Sequence, residues 1–284
     1  MNKKSPLFSL ASKVVKKGDE FIAKNGLKKF HLEAAELLAI SNFDYHYDYQ
    51  ELVEGYLNQK TLPAQNFPSL EFSDLPLTIA RGEHCFIDFY FWRRRPTAIH
   101  NHHFAGAFQC LEGNNIDLQY TFKTREKLTK FHAMGELTLV KTSELKTGAI
   151  QSIDFQDKFI HQNHHQSDLT VNLCFRSLDV PKSHIANFLF SGLRYEKSPD
   201  LLNKVHRLWR FTEMEDFDFK NISFSPEEVL CFLMETYGRS TQNKRFLVLR
   251  EFLKKKAIKE LGIDTDKLIS LHDEALDKML DVYE

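Results

Sequence analysis

The sequence predicts a mainly β protein: an antiparallel β-barrel or sandwich with α-helices added before and after it. Two observations predict this. Short β-branched and aromatic segments separated by turns fill the middle of the chain, and segments of helical period flank them on both sides. A third observation points to chemistry: of 13 histidines, His100, His102, His103, His132, His161, His164 and His165 crowd the mid-chain.

The first 60 residues carry the helical period. Ser5-Pro6 makes an N-cap and first-turn pair, Leu7, Leu10, Val14 and Val15 recur toward Phe21 and Ile22, and Asn25-Gly26 is a stop signal. Further helices are expected around 32–40 and 47–57, and residues 61–76, which contain Pro63, Pro68 and Pro76, read as a connection. From Leu77 the period changes: residues 85–92, 115–122, 136–140, 149–153, 169–175 and 186–190 have strand character. In 115–122, Ile116, Leu118, Tyr120 and Phe122 fall on one side and Asp117, Gln119 and Thr121 on the other. Many short strands at this spacing indicate an all-β sandwich or barrel.

After Lys197 the helical pattern returns. Ser225-Pro226-Glu227-Glu228 is a capping box leading into Val229, Leu230, Leu233 and Met234, and residues 244–261 and 266–282 form two further helices around Gly262. The expected organisation is a helical segment over 1–76, a β-barrel over 77–196 and a second helical segment over 197–284.

Composition excludes several partner classes. Thirty-eight Lys+Arg against 39 Asp+Glu give a formal net charge of −1, so no global pull toward nucleic acid or anionic lipid is expected. Lys254-Lys255-Lys256 is flanked by acidic residues and reads as a solvated face. The apolar runs are far shorter than the roughly 20 residues of a membrane span. The Lys-rich start is not a signal-peptide pattern, and Cys85, Cys110, Cys174 and Cys231 show no C-x-x-C spacing, as for buried free thiols in a reducing compartment. A cytoplasmic protein is expected.

The informative segment runs from Trp92 through Arg93-Arg94-Arg95-Pro96-Thr97-Ala98-Ile99-His100-Asn101-His102-His103 to Leu111-Glu112-Gly113. In a strand, His100 and His102 point to one face, so two imidazoles can bind one metal ion from neighbouring positions. A third ligand from another strand completes a facial set with open positions for substrate or oxygen. His161 is the candidate, with His164 and His165 as rivals.

Trp92, the Ile99-His100-Asn101-His102 step, Leu111-Glu112-Gly113 and the later His161 together resemble the cupin superfamily and, within it, the cysteine dioxygenase-like group. The resemblance covers about residues 77–196 and implies a jelly-roll barrel. The metal-binding glutamate common in cupins, four or five residues past the second histidine, is replaced by Gly106 and Ala107, which implies the three-histidine branch. Gly106 stands where the animal enzymes carry a cross-linked cysteine; bacterial relatives commonly have glycine there too.

Carried over, the resemblance implies Fe(II) held by His100, His102 and His161, with a small-molecule substrate and O2 as partners. Arg81 is the nearest match to the family's carboxylate-binding arginine, with Arg93–Arg95 as competitors. The family's Ser-x-His-x-Tyr pattern is replaced by Asn172, Cys174 and Arg176, which puts L-cysteine as substrate in doubt and brings a cation suited to a carboxylate or phosphate. His164, His165 or Glu83-His84 could support a ligand from behind. The expected activity is a thiol dioxygenase-like oxidation of a small anionic substrate. The alternatives are another Fe, Mn, Ni or Zn cupin reaction, or a non-catalytic binding module in which the helical ends recognise a partner. Those ends could equally cover barrel edges or build a homodimer interface.

Overall fold

Among the described residues, eleven strands form two antiparallel sheets. The computed structural model describes residues 6–58, 63–65, 73, 75–93, 96–180, 183–196, 223–236, 244–267 and 270. Ser5, most of the expected connection at 61–76, Arg94, Arg95, residues 197–222 and most of the expected helix at 266–282 lie outside the described residues.

Four helices come first: α1 (Pro6–Asn25), α2 (Phe30–Ser41), the short α3 (Phe43–His46) and α4 (Tyr49–Leu57). The strands are β1 (Leu75–Arg81), β2 (Cys85–Trp92), β3 (Ile99–His102), β4 (Gly106–Glu112), β5 (Asn114–Lys127) and β6 (His132–Lys146). They continue with β7 (Ile150–Ile153), β8 (Gln156–His165), β9 (Thr170–Ser177), β10 (Ala186–Phe188) and β11 (Leu193–Glu196). Helices α5 (Pro226–Thr236) and α6 (Lys244–Leu261) follow. Among the described residues, no helix is long and apolar enough to cross a membrane.

One sheet has the order β1-β2-β9-β4-β7, and six strands close in the order β10-β11-β6-β5-β8-β3. From β2 to β9 the chain places β2, β4, β7 and β9 in the first sheet and β3, β5, β6 and β8 in the second. This alternation, with orders β2-β9-β4-β7 and β3-β8-β5-β6, is the double Greek key of a jelly roll. β5 and β6 extend well beyond the segments expected at 115–122 and 136–140.

Contacts divide the chain into two compact units, residues 1–121 with 139–183 and residues 122–138 with 184–284. In the first unit, β2 and β9 are buried on both faces, which is why they read as nearly continuous apolar runs. One face, with Ile87, Phe89, Val171, Leu173 and Phe175, packs with Leu7, Val14 and Val15 of α1 and Phe30, Ala34 and Leu38 of α2. The opposite face contributes Tyr90, Trp92 and Cys174 to a separate cluster with Phe104, Phe108, Ile153 and Phe159 inside the barrel. Each such side chain stabilises the fold by about 1.5–3 kcal/mol when fully buried.

Helix α1 approaches the sheet closely. A Cβ on Gly18 would lie 2.4 Å from the Phe175 ring and 2.8 Å from Cys85 Sγ, so only glycine permits the contact. The next residue, Asp19, accepts hydrogen bonds from the backbone N–H groups of Glu83 (2.9 Å), His84 (2.8 Å) and Cys85 (3.1 Å), fastening α1 to the β1–β2 turn.

In the second unit, β11 pairs with β6 (Leu193↔Met134, Tyr195↔His132), and Leu193 and Tyr195 pack with Val229, Phe232 and Leu233 of α5 and Leu253 and Ala257 of α6. The expected capping box starts α5: Ser225 N–H donates to Glu228 Oε2 (2.8 Å) and Glu228 N–H to Ser225 Oγ (3.3 Å). All four cysteines are buried thiols outside any disulfide.

Candidate metal centre

Strand alternation and one strand pairing assemble the centre. His100 and His102 point to the same side of β3, and antiparallel pairing puts His100 opposite His161 of β8. The ladder shifts register between His100 and His102, which leaves their rings 4.7 Å apart, centroid to centroid. The His161 ring lies 4.8 Å from that of His100 and 5.0 Å from that of His102. Among the described residues, His100, His102 and His161 form the group able to hold a metal ion, their ligand atoms all within 4.8 Å of one another.

The protonation pattern suits ligation. His161 Nδ1 lies 2.6 Å from the Asp117 carboxylate, and His100 Nδ1 lies 2.8 Å from the Ala98 carbonyl oxygen. Each partner is an acceptor, so each Nδ1 carries the proton and the lone pair suited to ligation is on Nε2. His102 Nε2 sits 3.0 Å from His161 Nε2. Two nitrogens each about 2.1 Å from one ion at a right angle are about 3.0 Å apart, so this pair is spaced as one edge of a facial site. Burial, followed by the neighbouring His100 and His161 rings, pushes His102 well below the ordinary imidazole pKa and keeps it in the neutral, ligating form. The set fits a divalent ion.

Around the trio the barrel wall is aromatic. Phe104 lies 4.7 Å from the His102 ring, Phe159 lies 4.7 Å from His161 and Phe108 lies 6.4 Å from His161. His100, His102 and His161 are all buried. Such surroundings exclude water and strengthen any charge interaction inside.

The other residues singled out by the sequence occupy different positions. His164 and His165 also lie on β8, and both are buried rather than in a solvent-facing loop. His165 stacks on Trp92 (4.6 Å, 14°), and its Nδ1 meets Asn115 Oδ1 at 2.6 Å. Glu83 and His84 are held at the β1–β2 turn by Asp19. Arg81 is exposed at the end of β1, its guanidinium 5.2 Å from the Phe86 ring centre, and Arg93 is exposed past the end of β2.

Arg176 faces the barrel interior from β9, with its guanidinium over the rings of Phe86 (4.5 Å) and Phe104 (4.3 Å). It donates from Nη1 to Asp179 at 2.8 Å. Opposite it in charge stands Asp88, fully buried, which accepts from Thr78 (2.7 Å) and Tyr90 (2.9 Å). Burial pushes the Asp88 carboxyl up, and the Arg176 charge, followed by the Thr78 and Tyr90 hydrogen bonds, opposes that rise.

Asp117 is the residue that a reading of motifs misses. It is fully buried and faces His161, and its Oδ2 accepts from Gln119 (2.8 Å), whose amide also reaches Gln151 (3.1 Å). The signal lay in the alternation of β5. Its polar side, Asn115, Asp117 and Gln119, is turned toward the histidines of β8, while Ile116 and Leu118 are buried on the other side.

No family model matches the chain, and no curated protein is similar to it. Solved structures similar to it include a cupin-2 domain protein from Shewanella frigidimarina (12% identity, 36% of this chain and 79% of that one, TM-score 0.25). Hydroquinone 1,2-dioxygenase from Sphingomonas sp. TTNP3 is similar over 36% of this chain and 65% of its own (6% identity, TM-score 0.29). A chain from a crystal structure of DMSP lyases is similar over 64% of this chain and 98% of its own (7% identity, TM-score 0.35). At these values the likenesses carry nothing about chemistry, and the fold stands on the strand order itself.

Proposed function

We propose that the protein is a metal-dependent enzyme of the three-histidine cupin kind, most specifically a non-haem Fe(II) dioxygenase acting on a small anionic substrate of the thiol class. The observation that carries this reading is the convergence of the ligand nitrogens of His100, His102 and His161, with two of the rings locked from behind by acceptors.

His100, His102 and His161 would hold the ion. When bound, Fe(II) would bring O2 and the substrate together, with the substrate thiol supplying the electrons that reduce O2, and three neutral imidazoles would leave the ion's charge uncancelled, which favours an anionic substrate. The protein's own residues then orient and enclose. Asp117 and the Ala98 carbonyl fix two rings, and Phe104, Phe108 and Phe159 keep water out. Phe104 touches both His102 and the Arg176 guanidinium, which places a buried cation one ring away from the trio. With Arg81 on the far neighbour Phe86, Arg176 would receive the anionic end of the substrate.

The test is metal content and O2 uptake after reconstitution with Fe(II), Mn(II), Ni(II) or Zn(II), against a panel of thiols and small carboxylic acids. The expected result is one equivalent of metal and thiol-dependent O2 uptake with Fe(II), both lost in His100→Ala. Metal binding with no O2 uptake on any thiol would replace the dioxygenase assignment with another metal-dependent reaction. A chain that takes up no metal would leave a binding module.

A further inference from the structure

We infer that Asp117 is a positioning residue that fixes the His161 ring and makes its metal-binding nitrogen a stronger donor. The inference rests on the metal-centre reading above and extends it to residues outside the trio.

The geometry begins at the 2.6 Å contact between Asp117 Oδ1 and His161 Nδ1, both groups fully enclosed by protein. A short bond from an imidazole N–H to a carboxylate raises the basicity of the opposite nitrogen and fixes the ring's orientation. Asp117 is itself held: Gln119 Nε2 donates to its other oxygen at 2.8 Å, and Gln119 is in turn 3.1 Å from Gln151 Oε1 on β7. His100 has a neutral carbonyl behind it and His161 a charge. The set therefore contains three neutral ligands and one carboxylate placed a single ring away from the ion.

Two measurements test the inference without reference to turnover. Titration of the apo-protein with Co(II) and Zn(II) against a competing chelator should give affinities 10- to 100-fold weaker in Asp117→Asn than in the parent, the loss typical of removing a ligand's outer hydrogen-bond partner. Asparagine retains an acceptor oxygen and lets Gln119 turn its amide, so the variant removes charge rather than shape. Equal affinities in the two proteins would overturn the inference while leaving the trio intact. Failure of the parent itself to bind would instead remove the metal-centre reading. Nitrogen-15 NMR of imidazole-labelled protein should place the proton on Nδ1 of His161, both before and after Zn(II) is added. A His161 proton on Nε2 overturns it even if the Asn variant does not fold.

Discussion

Replacing Arg176 with methionine should destabilise the first unit by about 3 kcal/mol, because it removes the charge that opposes the burial penalty of the Asp88 carboxylate. Removing the countercharge of a buried carboxylate costs about 3–5 kcal/mol when the two groups are in contact, and less when they act on each other at longer range, as Asp88 and Arg176 do. Asp88 keeps its hydrogen bonds from Thr78 and Tyr90, which favours the lower end of that range. The bond to Asp179 adds little, since that side chain is 53% exposed and exposed pairs contribute about 0–1 kcal/mol. Stacking on Phe86 and Phe104 is lost, but methionine sulfur recovers part of it, about 0.3–1.5 kcal/mol per aromatic contact. In a unit of this size, about 3 kcal/mol corresponds to a fall in melting temperature of about 6–12 °C. The assay is guanidinium unfolding of the parent, Arg176→Met, Asp88→Asn and the double variant. The double variant should recover most of the loss. The deficit of Arg176→Met should also narrow as pH falls, because protonated Asp88 no longer needs a cation. A single variant within about 0.5 kcal/mol of the parent, or additive effects in the cycle, would refute the buried-pair account.

Two further outcomes follow from other parts of the fold. A Cβ on Gly106 would lie 2.3 Å from the Phe175 carbonyl oxygen and 2.8 Å from Arg176 Cα, so Gly106→Cys should separate β4 from β9 and cost at least about 1–3 kcal/mol in chemical denaturation. Parent-like stability would show that the strands can spread without penalty. Burial holds His132 down to about 4 from its ordinary 6.5. A group depressed in the folded state contributes stability above the unfolded pKa and loses it as pH falls through the folded value. Up to about 3 kcal/mol should therefore disappear between pH 6.5 and 4. His132→Gln should remove that acid-side loss; an identical pH profile in the two proteins would contradict it.

The elements were legible where one period dominated. The repeat of Leu7, Val14 and Val15 marked α1, and the Ser225–Glu228 box marked the start of α5. Strand count pointed only to a sandwich or barrel, and the jelly roll was what the resemblance to cupins implied; the strand order bears it out, with segments that bury one face against helices and the other in the barrel interior. Less visible was anything that depends on which side of a strand is inward. In β5 the apolar side of Ile116 and Leu118 would ordinarily be taken as the core. Yet the polar side is also buried, because Asp117 answers a histidine 44 positions away. Asp179 was equally hidden: it lies just past β9 yet binds both His103 and Arg176, each at 2.8 Å. Long-range polar pairing of this kind leaves no periodic trace in a single sequence.

X-ray absorption of the protein loaded with one equivalent of Co(II) or Zn(II) tests the central claim most directly. The account requires three imidazole nitrogens at about 2.0–2.2 Å with oxygen donors completing the shell, and loss of imidazole scattering in His102→Ala. A shell with sulfur in it, or with fewer than three imidazoles, would contradict convergence of His100, His102 and His161 on one ion.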